Sequence, residues 1–225
     1  MTIDTSRHAL YFNPMKFRDR VDIIGAGAVG SKVGMEMAKL GIKDIHVWDG
    51  DEVEGHNIAN QAFYLDDIGK SKVSALSEHI ERATGTSINC HEEYITEETE
   101  LGKVVFLCVD TMKARKDIFE NSIKGKFSTD LVVETRMGVE ELRIYGINPR
   151  SRSNIIDWEA SLVDDDKTVE SACGAKTTVG STASMTAAMA VARFMQWFNW
   201  ENGATGVAPS FEQVVMLRPL ITISN

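Results

Sequence analysis

A β-type run, Val21-Asp-Ile-Ile24, ends directly in Gly25-Ala-Gly27-Ala-Val-Gly30, and Ser31 to Leu40 then carries apolar residues at helical spacing up to a capping Gly41. Ile45-His-Val-Trp48 is a second short strand that closes on Asp49. Strand, glycine turn, helix and strand within some thirty residues make a βαβ unit, which commits the chain to a parallel sheet with a right-handed crossover. The glycines have separate duties. The first permits the tight turn, the second lets backbone amides approach phosphate, and the third lets helix and strand pack closely. Gly25, Gly27, Ala28, Val29 and Gly30 therefore form a phosphate-binding loop that needs no basic side chain, because amides and a helix N-terminus meet the anion. Asp49 is placed to accept ribose hydroxyls of an unphosphorylated ribose. Both NAD and ATP fit these residues.

The rest of the chain extends the same fold. Lys70 to Ala83 reads as a helix, Ile88 to Tyr94 as a strand, Val104 to Val109 as a central parallel strand and Lys113 to Lys124 as a helix. Leu131 to Thr135 and Leu142 to Ile147 alternate as an antiparallel pair around Met137 to Glu141. Asn148 to Lys176 is polar and without periodicity, which predicts a long loop. A helix from about Ser181 to Trp200 and a last strand near Val214 to Leu217 follow. The expectation is a Rossmann-like α/β fold, its sheet mostly parallel in the first half, with an antiparallel extension and a long C-terminal helix. It forms one domain over 1–225, with an N-terminal arm at 1–20 and a crossover-type loop at about 148–178.

Composition excludes several classes. With 24 Lys and Arg against 33 Asp and Glu, the net charge is −9, which argues against a nucleic-acid track. Cys90, Cys108 and Cys173 are scattered and odd in number, a reduced intracellular pattern with no paired CxxC zinc site. The start lacks a signal peptide, and Val179 to Trp200 is interrupted by Arg193 and several hydroxyl residues, so it reads as a buried helix and not a membrane span. A cytoplasmic location follows as the expectation. Cys90 and Cys108 read as core, and Met185, Met189, Met195, Trp197 and Trp200 as an apolar helix face for buried core or dimer packing.

A second constellation narrows the nucleotide. Asp49-Gly-Asp51-Glu-Val-Glu-Gly-His56-Asn57-Ile-Ala-Asn60-Gln61 is followed by Gly69-Lys-Ser-Lys72-Val73 and by Cys108-Val-Asp110-Thr-Met-Lys-Ala-Arg115. With the glycine loop, this order resembles the ThiF/MoeB/HesA family, relatives of ubiquitin-activating enzymes. The resemblance spans about Val21 to Arg115 and continues weakly through Met137 to Tyr145 and Gly180 to Trp197. It implies an ATP- and magnesium-dependent adenylyltransferase that activates the C-terminal carboxylate of a ubiquitin-like or small peptide carrier protein, as a homodimer. By it, Asp49 holds the ribose, Asn57 and Lys72 contact phosphates, Asp51, Asn60 and Gln61 line the nucleotide site, and Asp110 binds magnesium or positions the reacting carboxylate. The alternatives are an NAD-dependent oxidoreductase, which leaves Asn57, Lys72 and Asp110 without a role, and a nucleotide-binding scaffold that has lost activation.

The chain departs from that family's pattern in places. Asn60 stands where the family has arginine, so Lys70 or a distant arginine is needed to restore the cation. Arg7 is the candidate for the arginine that reaches a partner subunit's site. Zinc is not expected. Cys173, near Lys176 and a helix start, resembles a crossover-loop cysteine able to link covalently to a carrier. Asp164-Asp165-Asp166 and His56 read as solvated loop residues.

Overall fold

The computed structural model describes residues 3–163 and 179–225. Eight strands form one mixed sheet in the order β3-β2-β1-β4-β5-β6-β7-β8. β1 (Val21–Ile24), β2 (Ile45–Trp48), β3 (Asn89–His91), β4 (Val104–Leu107) and β5 (Leu131–Met137) run parallel, whereas β6 (Glu141–Ile147), β7 (Glu212–Leu217) and β8 (Leu220–Ser224) continue antiparallel from β5. The Rossmann-like arrangement expected from the glycine turn is present, and so is its antiparallel extension.

Central strands buried on both faces explain why β1 and β4 are continuous apolar runs broken only by Asp22. Val104 and Phe106 point into one core with α1 (Gly30–Leu40), α2 (Lys72–Thr84) and α5 (Gly180–Glu201). Val105 and Leu107 point into the other, with Phe119, Ile123 and Trp158. Gly41 at φ +98° and Gly85 at φ +67° terminate α1 and α2 in the left-handed region that glycine adopts without strain. The N-terminal segment belongs to the core. Phe12 and Phe17 meet Phe194 and Phe198 of α5 edge-on or tilted, at ring separations of 5.0–5.9 Å. No helix among the described residues is long and apolar enough to cross a membrane.

Four expectations are corrected. Within the stretch read as a loop lies α4 (Arg152–Ala160), capped by the Ser151 hydroxyl, which accepts from the Asn154 amide. Trp158 is its one buried residue, with Ile155 partly buried beside the same core, so no apolar stripe announces it. The helix expected to run to Lys124 stops as α3 (Met112–Ile118) and passes into a π-turn at Phe119–Ile123. An additional strand, β8, whose side chains are all exposed, pairs with β7 as a hairpin. Cys90 is corrected too: it lies exposed on the edge strand β3, while Cys108 is partly buried just beyond β4.

Candidate functional site

Register alone gathers the first site residues. Ile24 pairs with Trp48 on one side and Leu107 on the other, so the next residues, Gly25, Asp49 and Cys108, emerge side by side at the carboxyl ends of three parallel strands. The strand order reverses between β1 and β4, which is where open α/β sheets hold ligands. Gly25 adopts φ +91°, and a Cβ there would approach the Cys108 carbonyl at 3.0 Å; a Cβ on Gly30 would come within 1.8 Å of the Gly25 oxygen. Those two glycines close the loop. Gly27 is different: its Cβ position meets nothing within 4 Å. No side chain caps the N-terminus of α1, so the loop opens onto an uncapped positive helix end.

Asp49 is buried and fixes this loop. One carboxylate oxygen accepts from the Ala26 amide at 2.7 Å and the other from the Asp51 amide at 2.9 Å. Burial pushes its pKa up, against the pull of these amides and of Lys72. Lys72, itself buried at the start of α2, donates to Asp51 at 2.7 Å and stands 3.9 Å from Asp49. Tyr94 donates to the other Asp51 oxygen. That bond, then burial and the charges of Asp51, Asp49 and Asp110, raise the phenol to about 12. Tyr94 also covers Gly50, where a Cβ would come within 2.9 Å of its ring. Asp110 is exposed just past β4, and Thr111, not Asp110, caps α3 by accepting from the Ala114 amide.

Asn57 is buried in a 3-10 turn, where its Oδ1 accepts from the Glu54 amide at 2.8 Å. Gln61 follows that turn, its amide bonded to the Asn57 carbonyl and its buried Oε1 without a hydrogen bond. Lys70 faces away, bonded to Asp67 and Glu78 at 3.3 and 2.8 Å. The cation at Asn60 is instead Lys32, which the sequence reading passed over. Its ammonium donates to the carbonyls of Ala28, at 3.2 Å, and Asn60, and burial lowers its pKa. Arg7 is exposed on a segment held to the far end of α1, where His8 meets the Leu40 carbonyl at 3.1 Å. The fold does not bring it to the crevice between β1 and β4. His56 is an exposed loop residue beside Glu54. Cys173 and Asp164 to Asp166 lie outside the described residues. Burial holds the Cys108 thiol up at about 12, unsuited to nucleophilic work at neutral pH.

Asp67 anchors the loop that delivers Lys72. Although burial raises its pKa, the Tyr64 amide, His79 and Lys70 hold it below the usual carboxylate range. Its stabilising contribution is therefore present above the unfolded-state pKa and is lost as pH falls through the lower native value. The urea midpoint of Asp67→Asn should lie below that of the parent at neutral pH, with the gap closing under acid conditions; a gap independent of pH would contradict this.

Comparison with known proteins agrees with the geometry. Against solved structures, E. coli MccB with ATP superposes with a TM-score of 0.71 at 16% identity, covering 98% of this chain and 70% of that one. PaaA gives 0.66 at 17%, covering 96% and 66%. In sequence, the NEDD8-activating enzyme E1 catalytic subunit of Arabidopsis thaliana is 31% identical over 106 residues, 44% of this chain and 23% of the relative. Adenylyltransferase and sulfurtransferase uba4 of Emericella nidulans is 33% identical over 89 residues, 39% and 17%. The chain thus spans well under a third of the length of these curated relatives. The ThiF family model matches residues 16–215, nearly the whole chain, and with the glycine loop, the acid after β2 and the crevice between β1 and β4 already in view, the chain belongs to the ThiF family.

Proposed function

We propose that this chain is an ATP-dependent adenylyltransferase that activates the C-terminal carboxylate of a ubiquitin-like or small peptide carrier. The observation that carries the reading is the open space at Gly27, above an uncapped helix N-terminus and beside two half-buried or buried lysines, Lys32 and Lys72. Adenylation brings a carboxylate against the α-phosphorus as pyrophosphate leaves, so the site must neutralise converging anions. Backbone amides of Gly27 to Gly30 and the two ammonium groups meet that demand. No general base is needed, since the attacking carboxylate is already ionised. Asp49 retains acceptor capacity for ribose hydroxyls beyond its two amide bonds.

Magnesium fits the donor set in one way. Among the described residues no group of three or more His, Cys, Asp or Glu could hold a metal by itself. Asp110 would hold the ion together with the phosphates, which is how magnesium is usually bound, and the ion would neutralise phosphate charge. Lys32 stands in for the cation that Asn60 removes. Arg7 is proposed to act across a homodimer, since in its own subunit it stands about 15 Å away along α1. Cys173 is proposed as the residue that links covalently to the carrier.

Two glycine variants test the reading, by ATP–pyrophosphate exchange with magnesium and a synthetic peptide ending in glycine. Gly27→Ala should melt with the parent, because nothing stands in the way of its Cβ, yet lose protection by ATP and lose exchange. Gly30→Ala should lose about 1–3 kcal/mol of stability or more through backbone conflict. ATP protection without exchange on any such peptide would replace the proposal with a binding scaffold. Protection by NADH and not by ATP would replace it with a dehydrogenase.

A further inference from the structure

α5 carries an arginine among apolar neighbours. Arg193 is 3% exposed, and its Nε and Nη1 are buried without a hydrogen bond. Burial alone moves its pKa, down to about 10, so the group remains charged at neutral pH. An uncompensated guanidinium inside a protein is a costly arrangement. The fold has nevertheless made room for it: the group lies over Gly146 of β6, where a Cβ would come within 2.2 Å of Nε and 2.6 Å of Cζ.

Arg193 and Gly146 line a cavity of about 220 Å³ together with Asn148, Trp197, Trp200 and Pro209. It lies where β5 begins and β6 ends, at the opposite end of the sheet from the glycine loop. Two acids also line it, and neither answers the arginine. Asp130 is paired with Arg150 at 2.6 Å and Lys103 at 3.4 Å, while Glu201 is solvent-exposed. The volume equals that of roughly seven liquid waters, enough for a compact organic acid.

We propose that this cavity binds a small organic carboxylate, one oxygen of which accepts from the Arg193 guanidinium and whose apolar body packs on Trp197, Trp200 and Pro209. With Nε and Nη1 enclosed, Nη2 is the nitrogen left to donate one charge-assisted bond to a carboxylate oxygen, and indole walls select an acid with a flat apolar body over a bare inorganic anion.

Thermal unfolding and tryptophan fluorescence of the full chain, titrated with sodium benzoate, sodium phosphate and sodium chloride at matched ionic strength, test this. Benzoate should give a saturable fluorescence change and raise the melting temperature, with phosphate weaker and chloride without effect. Arg193→Met should weaken benzoate by roughly ten- to a hundredfold, the loss of one charge-assisted bond, and should be no less stable than the parent when no benzoate is present. Trp200→Leu, at a half-exposed wall position, should weaken benzoate and leave phosphate unchanged. The proposal is overturned by an undiminished benzoate response in Arg193→Met, by a phosphate response that exceeds that of benzoate, by silence towards both anions, or by a large intrinsic stability loss in Arg193→Met.

Discussion

Replacing Glu134 by alanine is expected to cost about 3–5 kcal/mol, the range for removing one partner of a buried ion network, and to lower the melting temperature by roughly 6–20 °C in a chain of this size. Glu134, on β5, is fully buried between two arginines. Arg115 donates to one of its oxygens, and Arg136 to the other at 2.9 Å. Trp158 of α4 adds an indole bond at 3.2 Å. Without the carboxylate, two guanidinium groups would remain buried and unpaired. Arg115 also donates to the carbonyls of Val109 and Thr135, so this network ties the end of β4, just before Asp110, to β5. Urea unfolding should therefore show a lowered midpoint with an unchanged slope. Replacing Glu134, Arg115 and Arg136 together by Leu, Met and Met should recover much of the loss. A loss below about 1 kcal/mol for the single variant would mean that the pairing is solvated and weak.

Removing the ammonium of Lys72 is expected to lower the exchange rate by about 10²–10³, the magnitude for deleting one preorganised charge partner of a transition state. Asp51, half-exposed, is its present partner at 2.7 Å, an interaction that a phosphate can replace. In Lys72→Ala, the melting temperature should fall by much less than the rate implies, because both amide bonds to Asp49 remain. Lys72→Arg should not rescue the rate, since the wider guanidinium does not reproduce a buried point charge. Lys32→Met should act earlier, weakening ATP binding by roughly tenfold. Equal losses of stability and exchange in Lys72→Ala would make it a structural residue and sink the assignment.

The parallel half of the fold was legible because its elements announce themselves locally, by an apolar run, a glycine turn or a cap at Gly41. Asp49 could be placed because it directly follows a strand, whereas Lys72, at the start of α2, and Asp110 were singled out by motif order through the family resemblance. What escaped depends on partners far along the chain. Lys32 matters through the Asn60 carbonyl, and Tyr94 through Asp51, pairs that no local pattern joins. The helix at Arg152–Ala160 has one fully buried residue, a tryptophan tilted against Phe119 at a ring separation of 4.2 Å, too little to create a period. The final strand buries none of its side chains, so alternation gave nothing to detect. Arg193 registered only as an interruption in an apolar helix, since its significance lies in the glycine that faces it from β6.

The positions of Lys32 and Lys72 within an acidic chain also govern the kinetics of encounter. At long range an approaching anion meets the field of a body with net charge −9, which opposes its arrival. Within the last few ångströms it meets two ammonium groups and a helix end. Salt screens the first influence, which acts beyond a Debye length of about 10 Å, far more than the second. Raised ionic strength therefore speeds capture of anions at the crevice while leaving their residence there nearly unchanged, the reverse of the behaviour of a basic protein that draws its ligand in from a distance.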